Sequence, residues 1–212
     1  MATTQDHSIT LQGSADIVHE YLKYSTHSII FQRGIYPAGD FMPEEYNGVP
    51  LMVSRDQRIV EYIDKIMGQV HELIMKRMIT KVTMCIVTVE DSDIVERWDF
   101  NIQPTYDDEP GVAPVSTKPL NKVQSEIRDV MRQIVATVSF LPCLDERCTF
   151  DLMLHTVGEV FSANPTMLKQ FREEAPQFIE IKDAQTITLK RFSTGLQTVD
   201  TNVMYRTSSG ET

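Results

Sequence analysis

Three groups of side chains in this chain have reactive or ligating chemistry at spacings that merit a test. Cys143 and Cys148 precede His155, so either thiol could act as a nucleophile with the imidazole as base. No third residue is spaced to orient that imidazole, and His155 falls on a strand-like alternation, so the cysteines are read as small core or surface thiols. His71-Glu72 begins a zinc-binding helix pattern, but Met75 stands where the second histidine is required, which leaves a polar helix surface. Asp107, Asp108 and Glu109 are neighbours in sequence, yet a proline-flanked loop does not hold carboxylates rigidly enough for acid and base roles. No phosphate-binding, dinucleotide-binding or nucleophile-elbow motif occurs. The chain is therefore read as a non-enzyme with no catalytic, cofactor-binding or metal-ligating residue.

Charge narrows the partners further. Thirty acidic residues against 20 basic ones give a net charge of -10, which repels a polyanion and argues against nucleic-acid binding. Apolar runs such as Ile86 to Val89 are far too short to span a membrane, and Met1 to Ile9 is polar rather than signal-like. Three cysteines without a CxxC pair fit a soluble protein in a reducing compartment. With 212 residues and 42% hydrophobic content, one large domain with a sizeable core is expected.

The elements that must position any site follow from periodicity. Ile17, Val18, Tyr21, Leu22 and Ile29 predict a first helix, with Ser14 as N-cap and Gly34 as its stop. Asn47-Gly48 predicts a hairpin turn between two short strands. Ile59, Tyr62, Ile63, Ile66, Met67, Val70, Leu73 and Ile74 predict a second helix over 55–77. Residues 79–90 are apolar in both alternating sets, the mark of a central strand. Trp98, Phe100 and Ile102 alternate with Arg97, Asp99 and Asn101, predicting a strand that buries one face; a large aromatic there is core or the anchor of a moving segment. Residues 104–119 suit a solvated loop.

A third helix is predicted from Val123, Ile127, Val130, Met131, Ile134 and Val138, with Glu126, Asp129, Arg132 and Gln133 outward. Cys148, Phe150, Leu152 and Leu154 alternate with Thr149, Asp151, Met153 and His155 as a further strand. Beyond Gly158 the pattern loosens. Candidate strands at 178–181, 186–192 and 196–205 have polar residues on both faces, so their register is weakly specified.

Five segments occur in one order: RGIYP (Arg33 to Pro37), ERWDF (Glu96 to Phe100), EIRDVMRQIVATVSFLP (Glu126 to Pro142), CTFDLMLHT (Cys148 to Thr156) and PQFI (Pro176 to Ile179). Together they resemble the HORMA-domain family in its spindle-assembly checkpoint branch, from about Ile9 to Arg206. The resemblance implies an α+β fold over 1–212, with three helices on a mainly antiparallel sheet, a core over 9–157 and a C-terminal safety belt over 158–206. Strand 79–90 would be central, with 94–103 and 148–156 beside it. In this family the belt has an open and a closed arrangement, the closed one wrapping a partner peptide.

Carried onto this chain, the peptide would add to the edge strand Thr149, Phe150, Asp151, Leu152, Met153, Leu154 and His155 by β-augmentation. The belt would re-pair on the 94–103 side, anchored by Trp98, Phe192, Val199, Val203 and Tyr205. Asp129, Arg132, Gln133 and Phe140 match the family's self-association surface, where open and closed molecules dimerise and a comet-type antagonist docks. Other implied partners are the coiled-coil checkpoint protein Mad-one and the Cdc-twenty activator of the anaphase-promoting complex. The implied locations are nucleus, kinetochore, nuclear envelope and cytoplasm. Alternatives are a polymerase-zeta accessory or meiotic-axis HORMA adaptor and, from another class, the cysteine enzyme above. The chain departs from the resemblance at Leu73, where vertebrate members carry tryptophan, and at Ala163 to Phe171, which is expanded.

Overall fold

The structure is a computed structural model and describes residues 8–107, 111–162, 181 and 183–207. After strand β1 (Ile9–Thr10), helix α1 runs over Leu11–Gln32. Its cap is Thr10, whose hydroxyl accepts from the Gly13 N–H at 3.1 Å, rather than the expected Ser14. Ser14 lies inside the first turn and is fully buried. Gly34 ends the helix with φ +63, a conformation open to glycine. Strands β2 (Phe41–Tyr46) and β3 (Val49–Ser54) form the expected hairpin, with Asn47 and Gly48 both at positive φ.

Helix α2 covers Gln57–Met75, capped by Asp56, whose carboxylate accepts from the Arg58 N–H at 2.9 Å. Its buried stripe is Ile59, Ile63, Ile66, Met67, Val70 and Ile74, with Tyr62 and Leu73 at its margin. Strands β4 (Ile79–Thr88), β5 (Ile94–Pro104) and β6 (Val115–Ser116) follow, then α3 (Leu120–Thr137) and β7 (Cys148–Thr156). The C-terminal part carries β8 (Glu159–Ser162), β9 (Ala184–Thr188), β10 (Phe192–Ser193) and β11 (Gln197–Arg206). Helix α1 packs against α2 and α3, and the three together cover one face of the main sheet.

That sheet runs β10-β11-β5-β4-β7-β8 with antiparallel pairing throughout, and β9 joins β11 on the β10 side. Strand β4 is central, as its two apolar faces require: Val82, Met84 and Ile86 join the main core, while Cys85 and Val87 form a smaller cluster with Met153 on the opposite face. The second face of β5 is not simply solvated. Asp99 is buried there, accepting from the Thr83 hydroxyl at 2.7 Å and pairing with Arg97 at 3.0 Å. The loop over 104–119 contains β6, which pairs with β1. Val138, expected inward, is exposed because α3 stops at Thr137.

The expected strand over 186–192 is two pieces, β9 and β10, parted where Lys190 turns toward α3. Of the expected strand at 178–181 only Ile181 lies within the described residues, and PQFI and the 163–171 expansion lie outside them. Strand β11 corrects the expectation of weak register. Gln197, Val199, Thr201, Val203 and Tyr205 alternate as one buried face, because its polar members Gln197 and Thr201 find buried partners on α1.

Candidate functional site

The two edges of the sheet contain the expected binding residues. On the β7 side, β8 pairs with Met153 to Thr156 only. From Cys148 to Leu152 no strand covers that edge among the described residues. Phe150 sits edge-on to Tyr36 and Tyr62, Leu152 and Leu154 enter the main core, and Thr149 is exposed. In the alternating set of Thr149, Asp151, Met153 and His155, Asp151 and Met153 are buried as well.

His155 accepts or donates to Thr83 at 2.9 Å, and burial, reinforced by the Lys81 charge, lowers its pKa to about 4. Cys148 lies seven residues away along an extended strand, roughly 23 Å from it. Its thiol pKa is raised by burial. Exposed Cys143 lines a cavity of about 140 Å³ at that same Cys148 end. The thiols and the imidazole therefore do not form a catalytic pair. His71 is bonded to Asp16 at 2.9 Å, and no cluster of three metal-ligating side chains occurs among the described residues.

On the other side, β11 pairs with β5 from Gln197 opposite Pro104 to Tyr205 opposite Glu96, which sets Val203 against Trp98 and Val199 against Ile102. Trp98 is 1% exposed and donates its indole N–H to Glu96 at 2.7 Å. Glu96 in turn pairs with Arg33 at 2.9 Å, and both side chains are nearly inaccessible. Burial raises the Glu96 pKa while the Arg33 guanidinium opposes that shift. Phe192 packs on Tyr21 with ring centroids 4.7 Å apart. The five expected belt residues, Trp98, Phe192, Val199, Val203 and Tyr205, thus share one buried layer under the helices.

Sequence reasoning missed what fastens that layer. Tyr21 and Thr201 bond through their hydroxyls at 2.7 Å, Ser14 bonds Thr194 at 2.6 Å, and Ser14 also donates to Gln197. Every one of these groups is buried. The available signal was Ser14 and Tyr21, seven residues apart on one helix face, matching polar residues at alternate positions of the last strand. Gly195 turns β10 into β11 at φ +88, where a Cβ would collide with the Ser116 hydroxyl.

The expected self-association residues divide in two. Arg132 is exposed and Phe140 is 49% exposed just past the end of α3. Asp129 and Gln133 are engaged with the belt: the Lys190 ammonium lies 3.0 Å from Asp129, and the Lys190 N–H donates to Gln133 at 2.6 Å. One turn earlier, Glu126 accepts from the Ser193 N–H at 3.1 Å and from Lys118 at 2.6 Å.

Three helices cover a sheet whose last strand returns to pair beside β5, and the model of the HORMA domain family matches residues 14–197. The chain is 33% identical to the human mitotic spindle assembly checkpoint protein MAD2A, over 96% of this chain and 95% of that protein. It is 35% identical to the Schizosaccharomyces pombe mitotic spindle checkpoint component mad2, over 94% and 95% respectively. A chain of a mitotic checkpoint complex crystal structure superposes with a TM-score of 0.75 at 34% identity, covering 92% of this chain and 99% of that one. Caenorhabditis elegans HTP-2 bound to a HIM-3 closure motif shares the fold at 10% identity and a TM-score of 0.70. The chain belongs to the HORMA family and, within it, to the MAD2 spindle-checkpoint proteins.

Proposed function

We propose that this chain is a conformational adaptor of the spindle checkpoint that takes up an extended partner peptide on β7 and encloses it with the segment 158–206. The observation that carries this reading is the inequality of the two edges. The last strand is spent on β5, and Cys148 to Leu152 of β7 is left without a strand among the described residues. An unpaired edge recruits a strand, and main-chain bonds supply affinity there while alternate side chains supply selectivity. The described pairing is the closed arrangement of this reading; in the open one β11 would leave β5. Domain boundaries follow as a core over 9–157 and a belt over 158–206 within one domain.

The partners under this reading are a Mad-one-type coiled-coil protein at kinetochores and nuclear envelope and the Cdc-twenty activator, whose sequestration restrains the anaphase-promoting complex. Self-association and comet-type antagonism would use Arg132 and Phe140, exposed beside a face of α3 that the belt itself completes through Lys190. Function by binding rather than catalysis agrees with the separation of His155 from the thiols. The test is titration with a synthetic Cdc-twenty peptide, followed by amide exchange. Protection should appear at 148–152, and exchange at 197–205 should stay slow. Tight binding with no protection on β7 would overturn the reading.

A further inference from the structure

Resting on the reading of β7 as the peptide edge, we propose that Tyr62 is the selectivity residue of that edge: its hydroxyl occupies the Leu152 N–H in the unliganded protein and must be displaced by the backbone carbonyl of an incoming strand. The Leu152 N–H donates to two side-chain acceptors, the Tyr62 hydroxyl at 3.0 Å and the Asp151 carboxylate at 2.9 Å. Tyr62 in turn donates to the same Asp151 oxygen at 2.7 Å. A helix side chain therefore reaches the strand and, together with Asp151, supplies the acceptors that a neighbouring strand would otherwise provide. This occurs within the stretch that β8 leaves uncovered.

The rest of the side chain suits a cap that moves. Burial raises the phenol pKa, so the proton stays in place and the hydroxyl can donate to Asp151 while accepting from Leu152. The ring lies edge-on to Phe150 at 5.6 Å and also lines a cavity of about 540 Å³ with Tyr36, Ile59 and Phe150. That space lets the ring turn aside without disturbing the packed stripe of α2. A bare edge N–H invites indiscriminate pairing, including between copies of the chain. A capped one admits only a strand whose own acceptor and flanking contacts outcompete the phenol.

The experiment compares the full chain with its Tyr62→Phe and Asp151→Asn variants. Without ligand, Leu152 amide exchange should accelerate about threefold to tenfold in Tyr62→Phe, the worth of one net hydrogen bond, and less in Asp151→Asn, whose amide oxygen still accepts from both the phenol and the Leu152 N–H. An unchanged Leu152 rate in folded Tyr62→Phe overturns the cap. Next, a phage-displayed library of random 12-residue peptides is panned on the parent, and the tightest peptide is synthesised. It should bind Tyr62→Phe several-fold faster than the parent; slower or weaker binding would make Tyr62 a peptide contact and overturn the proposal. Peptide binding that leaves 148–152 unprotected in both proteins overturns the edge reading, while ligand-free Leu152 exchange still judges the cap itself.

Discussion

The two edges of one sheet are closed by different physics. At β5, nine residue pairs of β11 run from Pro104 to Glu96, and the buried face of that strand is fastened by Ser14 and Tyr21 from α1. At β7, among the described residues, four pairs with β8 cover one half, and in the other the Leu152 N–H is met by side chains, the Tyr62 hydroxyl and the Asp151 carboxylate. Each net hydrogen bond contributes about 0.5–1.5 kcal/mol, and a ladder opens cooperatively, so the β5 edge is slow to release while the β7 cap exchanges quickly. On the proposed reading, a belt that holds and a slot that admits would arise from the same sheet.

The largest expected effect breaks the β5 side. Glu96→Ala removes the carboxylate that pairs with the buried Arg33 guanidinium, whose remaining acceptor among the described residues is the Pro142 carbonyl, and removes the acceptor of the Trp98 indole. Stranding a buried charge costs about 3–5 kcal/mol. Urea unfolding should show that loss; less than about 1 kcal/mol would mean that water reaches Arg33 and that the Trp98 layer is not dry.

Tyr21→Phe comes next. It strands the buried Thr201 hydroxyl and should cost about 1–3 kcal/mol, with faster amide exchange concentrated in β11. Thr26→Ala, on the same helix and with its buried hydroxyl donated to the Leu22 carbonyl of that helix, serves as the control. Equal acceleration in β7 and β11 would show that the hydroxyl pair supports the whole sheet rather than the belt.

Acid should sharpen the contrast from the other direction. Burial lowers both His27 and His155 to about 4, against roughly 6.5 in an unfolded chain. Between those values the unfolded state binds more protons, so the stability from keeping each ring neutral is complete above about pH 6.5 and is lost as pH falls toward 4. The raised pKa of Glu96 contributes the opposite sign, so the readout is the difference between parent and variant. His155→Asn should flatten the acid slope, together with exchange in β7, and His27→Gln should flatten it without touching either edge. An unchanged slope in both variants would remove these rings as its source.

Much of this was legible in the chain. The three helices, the Asn47-Gly48 hairpin, central β4 and its pairing with β5 follow from apolar periodicity, because each element presents a continuous stripe to one core, whereas the place of β7 on the other side of β4 comes from the family resemblance. The belt was harder to read, since Thr201 and Gln197 look like polar interruptions until α1 supplies their partners. Likewise Tyr62 reads as one more member of the α2 stripe. Its hydroxyl matters only because helix and strand, 89 residues apart, meet at the edge. Periodicity reports burial, whereas these bonds depend on tertiary placement.

The smallest effects separate two neighbours on α3. Arg132 is exposed, and Arg132→Ala should change stability by less than about 0.5 kcal/mol and leave exchange in 190–206 as it was. Gln133 accepts from the Lys190 N–H, and its loss should speed exchange at Lys190 while the helix itself stays folded. Both variants should weaken self-association by sedimentation, Arg132→Ala by losing a contact directly and Gln133→Ala by loosening the belt segment beside it. The distinction is read by adding a partner peptide. If the peptide steadies the belt, it restores association to Gln133→Ala and not to Arg132→Ala. Restoration of both, or of neither, would mean that α3 and the belt do not form one composite surface, and that the clasped edge has no reach beyond the sheet.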